Sequence, residues 1–207
     1  AEKNPDALIR VKNGAGWEGE IEARFLKPML FSLKEVEKYK VELDLLERLV
    51  LVCDKIITSN LRRYIEWGER KNFHKRPSVK SREKWYILAE MEYPHFVSNR
   101  FLGERFGFPV VEDILVCDVF FVGRFKDYEP SVCVAIINST VSYLTIEVIG
   151  RKTYGIGVAY IYGPEVNNLL TINPKILKKE EAFNLRKHFQ NMIYRPIHSI
   201  FTELGFD

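Results

Sequence analysis

Across residues 131–149 the apolar side chains Val134, Ile137, Val141, Leu144 and Val148 step by three and four, the spacing that lays one face of an α-helix along a core. Gly150 follows at the position where such a helix closes with its C′ residue. The same segment is rich in β-branched side chains, which lose rotamer freedom in a helix, so a hairpin competes with the helix there. Its surroundings have another rhythm. Residues 95–101, 105–111 and 115–122 are short runs of Val, Phe and Ile punctuated by Gly and Asp, as strands of a twisted sheet would be. Residues 49–53 and 159–162 read as further short strands. The capping box Ser32-Leu33-Lys34-Glu35 predicts a short helix running through Tyr39. A second helix is expected over residues 59–71, and Pro164 suits the first turn of another reaching Leu170. Residues 179–204 are helical in pattern but interrupted by Pro196. Helices and strands mix without the alternation of a doubly wound fold. The expected class is therefore α+β: a twisted mixed β-sheet with packed helices and a C-terminal helical segment. The expected division is 1–178 for the main domain and 179–207 for a helical extension.

With 207 residues, 46% of them hydrophobic and 29% charged, the chain is long enough for one large or two small cores, and disorder of the whole is excluded. No run of eighteen apolar residues occurs and the first ten residues are charged, so neither a membrane span nor a secretory leader is read, and the expected compartment is the cytoplasm. Position 1 is Ala, inside no recognisable element, as in a piece of a longer protein. Cys53, Cys117 and Cys133 are odd in number, widely spaced and flanked by Val or Leu; they read as buried free thiols rather than disulfides or a zinc cluster.

Charge is unevenly spread. Between Asn60 and Tyr86 stand nine basic residues, Arg62, Arg63, Arg70, Lys71, Lys75, Arg76, Lys80, Arg82 and Lys84, against Glu66, Glu69 and Glu83. This one segment carries the whole positive excess of a chain with net charge +3. Tyr64, Trp67, Phe73, Trp85 and Tyr86 are interleaved among the charges. Such a segment suits phosphate contact with base stacking, or a solvated helix face and loop. Residues 74–83, with Pro77 and many charges, are expected as an exposed loop.

No catalytic set assembles. Adenine methylation needs a glycine-rich turn for S-adenosylmethionine and an Asn-Pro-Pro-Tyr type loop for the flipped base; Asn4-Pro5 and Asn173-Pro174 lack the second proline and the aromatic. Gly155-Ile156-Gly157 reads as a turn rather than a dinucleotide site. Asp54 with Glu69 and Lys71 has the rough spacing of a metal-dependent nuclease, but Glu69 falls on an expected helix instead of beside Asp54 on a sheet. His74, His95, His188 and His198 show no metal-binding spacing, and no metal site is expected.

The order of several motifs decides between these readings. Residues 22–30, with Leu26-Lys27-Pro28-Met29-Leu30, followed by Lys38-Tyr39, resemble the entry into the specificity region of N6-adenine DNA methyltransferases of restriction-modification systems, including those fused to a nuclease. Asn60-Leu61-Arg62-Arg63-Tyr64 resembles the helix before that family's basic loop, and Lys84-Trp85-Tyr86-Ile87-Leu88 its Trp-Tyr signature. Asn138-Ser139 resembles its Asn-Ser helix, and Glu147-Val148-Ile149-Gly150-Arg151 through Gly157 its Gly-Arg turn. Departures occur at residues 96–100 and 170–174, and they bear on the target read. The resemblance implies a non-catalytic target-recognition module that grips double-stranded DNA, with a methyltransferase catalytic domain N-terminal to it supplying S-adenosylmethionine binding and chemistry. It implies phosphate contacts from the nine basic residues, with Arg151 also at the DNA, and base contacts from Asn99, Arg100 and Arg105. Trp85 and Tyr86 are expected to anchor the loop to the core, and Asn138 and Ser139 to fix a tight turn formed by Gly150, Gly155 and Gly157. A nuclease domain and a protein-interaction domain are the competing functions.

Overall fold

The computed structural model describes residues 4–53, 57–88, 92–103, 105–151, 159–199, 201–202 and 205. The chain divides into two compact units, one of residues 1–29 and 48–92, the other of residues 30–47 and 93–207. Each contains helices and small sheets, so the class is α+β. Among the described residues no single helix is long and apolar enough to cross a membrane.

In the first unit β1 (Leu8–Lys12) and β2 (Glu18–Glu22) form an antiparallel hairpin with Ile9 opposite Ile21. The turn at its tip is closed by Asn13, whose Oδ1 accepts from Ala15 N and Trp17 N, and Gly16 takes φ +91°, a conformation that favours glycine. Strand β3 (Leu26–Leu30) pairs antiparallel with β4 (Leu49–Leu51). Helix α1 (Ser59–Arg70) then lays Leu61 and Ile65 against Ile21, Phe25 and Cys53, with Gly68 buried on the same side of the helix. Its N-terminus is fixed twice. Thr58 Oγ1 accepts from Leu61 N at 3.2 Å, and the buried Glu22 carboxylate accepts from Thr58 Oγ1 at 3.0 Å, which places an anion where the helix dipole favours one.

The second unit begins with the capping box at Ser32. Its Glu35 carboxylate accepts from the backbone N–H groups of Phe31, Ser32 and Glu47. The helix expected to reach Tyr39 is a single turn, Leu33–Glu35. Beyond it the backbone is recruited into long-range bridges, Lys38 with Pro196 and Lys40 with Val110, and these override the local helical signal. Strand β5 (Phe96–Ser98) pairs antiparallel with β8 (Phe121–Gly123), while β6 (Phe101–Leu102) pairs with β9 (Ala159–Tyr160). The two-residue β7 (Leu115–Val116) is buried. His95, just before β5, accepts a hydrogen bond from Phe125 N at Nδ1. Burial and the nearby Arg124 push its pKa below the ordinary imidazole value.

The segment 131–149 is helical, not a hairpin, but it is two helices. Helix α2 (Pro130–Ile137) and α3 (Thr140–Ile149) meet at a 58° bend. The break lies at Asn138-Ser139, where Ser139 Oγ caps α3 by accepting from Ser142 N. The stretch 105–111 is not a regular strand: Val110 bridges to Lys40 and to Phe96, and Arg105 to Ser199, each as an isolated bridge. Between them Phe108 is held by Asn138, whose Oδ1 accepts from Phe108 N and whose Nδ2 donates to Phe108 O, both at 2.9 Å. One side chain thus satisfies both backbone groups of Phe108. Asn138 therefore holds Phe108 rather than a turn at Gly150, and Gly150 has an ordinary φ of −61°; Gly155 and Gly157 lie outside the described residues. Helices α4 (Gly163–Asn167) and α5 (Lys179–Met192) complete the unit. From the stretch expected as an extension, Phe189 and Ile193 join Phe96, Phe108, Val134 and Ile146 in the core. All three cysteines are free and buried.

Candidate nucleic-acid interface

Helix α1 is strongly two-sided. Leu61, Ile65 and Gly68 face the core, which turns Arg62, Arg63 and Arg70 to the opposite, exposed side. The helix stops at Lys71, and Asn72 takes φ +60°, the left-handed C′ conformation that Asn tolerates better than most residues. From there residues 73–84 run as a string of tight turns, with Arg76 N bonded to Phe73 O, Lys80 N to Arg76 O and Arg82 N to Val79 O. Lys71, Lys75, Arg76, Lys80, Arg82 and Lys84 are all exposed. The structure thus brings the nine cations onto one helix face and the loop that leaves it. Among the described residues, none of the nine is ion-paired.

Aromatic rings underlie this surface. Trp17 meets Tyr64 edge-on at 4.7 Å, Tyr64 stacks on Trp67 at 5.8 Å, and Trp67 meets Phe73 edge-on at 5.4 Å. Arg76 lies over the Phe73 ring at 4.1 Å. The guanidinium of Arg63 is held by Asn60 Oδ1, and Arg82 donates to Ile87 O at 3.1 Å. Several cations are therefore oriented rather than freely waving, which lowers the entropic cost of engaging an anion.

The far end of the loop is pinned by Trp85 and Tyr86, which pack on the first unit's core. Gly68 makes room for the indole: a Cβ at this position would stand 2.8 Å from Trp85 Cζ2. That crowding costs about 1 to 3 kcal/mol and outweighs the gain of about 1 kcal/mol for Ala over Gly in a helix. Gly68→Ala is accordingly expected to lower the urea midpoint and to expose Trp85 to acrylamide in a chain with Trp17 and Trp67 replaced by Phe. An unchanged midpoint with unchanged quenching would show that the indole does not need this seat.

Asn99, Arg100, Arg105 and Arg151 belong to the second unit. Arg100 is half-buried, donates to Asp118 O and lies over the Phe121 ring at 5.2 Å. Arg105 is exposed, with its Nε held by Ile197 O at 2.8 Å. Arg151 is bound to Glu165 through Nε at 2.7 Å and lies over Tyr162 at 4.6 Å. Desolvation raises the Glu165 pKa, but the hydrogen bond from Arg151, the backbone N–H groups of Tyr162 and Glu165 and the Arg151 charge together hold it below the usual carboxylate value. Asn99 is half-buried next to β5. What the sequence does not reveal is the support: Ile197 and Gly68 act through a backbone carbonyl and an absent side chain, and neither advertises a role.

Among the described residues no group of three His, Cys, Asp or Glu side chains converges as metal ligands. Glu69 sits on α1, while Asp54 lies outside the described residues.

A family model described as the C-terminal domain of the type II methyltransferase M.Eco57I matches residues 27–200. No curated protein matches the sequence. Among solved structures the chain is similar to that of the type IIG restriction endonuclease BpuSI, with a TM-score of 0.58 and 12% identity over 87% of this chain. At that identity the likeness is one of fold. The chain spans 22% of the BpuSI chain.

Proposed function

Because the chain belongs to the family of C-terminal domains of type II methyltransferases represented by M.Eco57I, we propose that it is the module that recognises duplex DNA for an N6-adenine methyltransferase and positions it for a separate catalytic domain. The observation that carries this reading is the run of nine exposed cations on α1 and its following loop, backed by aromatic rings. A surface of this kind binds the phosphate backbone whatever the sequence, with counterion release as the driving force. Methyl transfer and S-adenosylmethionine binding belong in this reading to the catalytic domain N-terminal to the chain, and the whole enzyme acts in the cytoplasm.

Sequence reading needs different groups from backbone grip. Among Asn99, Arg100 and Arg105, the last is best prepared. Its Nε is held by Ile197 O, so the guanidinium plane is fixed while its outer nitrogens remain able to fork onto guanine O6 and N7. Arg100 is committed to Asp118 O and Phe121, and Arg151 to Glu165; both serve the reading better as supports of the surface. The test is selection from a randomised duplex pool by the full-length enzyme. The wild type should enrich one motif, and Arg105→Ala should enrich the same motif relaxed at one position, with about 1 to 3 kcal/mol lost on the original site. Failure of the wild type to enrich any motif would sink the recognition reading.

A further inference from the structure

The second unit carries an apolar stripe that nothing in the described chain covers. Val141, Leu144 and Val148 stand at i, i+3 and i+7 on α3 and are 56%, 66% and 75% exposed, so they form one line along the helix. Leu170, 73% exposed, extends it, because its carbonyl is bound to Thr145 Oγ1 of the same helix at 3.4 Å. The opposite side of α3 is locked: Ile146 lies in the core, and Ser142 Oγ donates to Ile136 O at 3.0 Å. The stripe is thus a firm platform. Two of its three helical members are β-branched, residues that disfavour helix and are a poor choice for a face left in water. Its four members are aliphatic and offer no donor to a phosphate or a base edge, so this is not a DNA surface.

The geometry points to this stripe as the seat of the methyltransferase domain carried on the same polypeptide, an inference that rests on the proposed function. Size decides between occupants. A free partner or a second copy requires roughly 800 Å² from each side, more than four aliphatic side chains supply. A covalently linked domain, present at an effective concentration of about millimolar, is held by a far smaller contact. The chain matches a C-terminal domain and spans 22% of the BpuSI chain, so a large remainder on one polypeptide is the occupant that fits.

Val148→Cys and, separately, Leu144→Cys would place an exposed thiol in a chain whose own three cysteines are buried. Maleimide alkylation is compared between the 207-residue chain and the full-length enzyme, with duplex binding measured on the same samples. The expected result is alkylation slowed about tenfold or more in the full-length enzyme at both positions. Equal rates would overturn the inference, as would slow alkylation of the isolated chain accompanied by dimerisation, or protection of it by phospholipid vesicles. Duplex binding with equal rates would sink the docking seat alone; slowed alkylation without duplex binding would support the seat and sink the recognition reading.

Discussion

Replacing Lys75, Arg76 and Lys80 together by Ala is expected to weaken binding of every duplex alike and to flatten the log-log salt dependence by about 2.7, at about 0.9 for each phosphate no longer neutralised. The three sit on the exposed turns after α1, so the fold should be untouched and the urea midpoint unchanged. Binding measured by fluorescence anisotropy between low and physiological salt gives both quantities. The contrast with Arg105→Ala is the informative part: the triple variant lowers affinity without changing which site is preferred, whereas Arg105→Ala changes preference with little loss of background affinity. Salt slopes equal to those of the wild type would show that the loop faces away from DNA.

The second large effect concerns stability. Asn138 is buried and makes four hydrogen bonds: to Phe108 N and O, to Val134 O at 2.9 Å, and from Tyr143 Oη at 3.1 Å. Asn138→Leu would leave the buried N–H and C=O of Phe108 without these partners, at about 1 to 3 kcal/mol for each group. The expected loss is about 2 to 5 kcal/mol, a large part of the stability of a domain this size. Urea unfolding followed by circular dichroism measures it. Asn138→Asp should also destabilise, because the carboxylate accepts from Phe108 N but cannot donate to Phe108 O. A loss below about 0.5 kcal/mol for the Leu variant, the level of an ordinary surface change, would show that Phe108 has other means of satisfaction.

Asn138 also marks where sequence reading stops. Periodicity alone identifies α1 and α5, since each presents an apolar face to a core. It also identifies 131–149 as helical, but of the five stepping positions expected on the core only Val134 and Ile137 are buried, because the bend after Ile137 leaves Val141, Leu144 and Val148 exposed on α3. It cannot announce that residues 105–111 form isolated bridges instead of a strand, because their partners are distant: Lys40 and Phe96 for Val110, Ser199 for Arg105 and, for Phe108, a side chain thirty residues away. The helix at Ser32 ends early for a similar reason. Its capping box is present, but Lys38 and Lys40 are claimed by Pro196 and Val110. Local signals are readable where local energy decides, and they mislead where a distant backbone competes. The same holds at the candidate site. The cations and the anchoring role of Trp85 and Tyr86 follow from residue type, whereas the fixing of Arg105 by Ile197 joins residues ninety-two apart. Gly68 looks like a weakness in a helix until the indole resting on it is seen.

That indole has a consequence for how the charge and reach of this surface can be changed by engineering. The turns between Asn72 and Trp85 are clamped at both ends, by a left-handed Asn on one side and by a Trp seated on a glycine on the other. Between the clamps the exposed side chains contribute little to the folded core. The segment therefore behaves as an exchangeable insert: grafts from relatives that keep Gly68, Asn72 and Trp85 can alter length and charge without rebuilding the scaffold beneath.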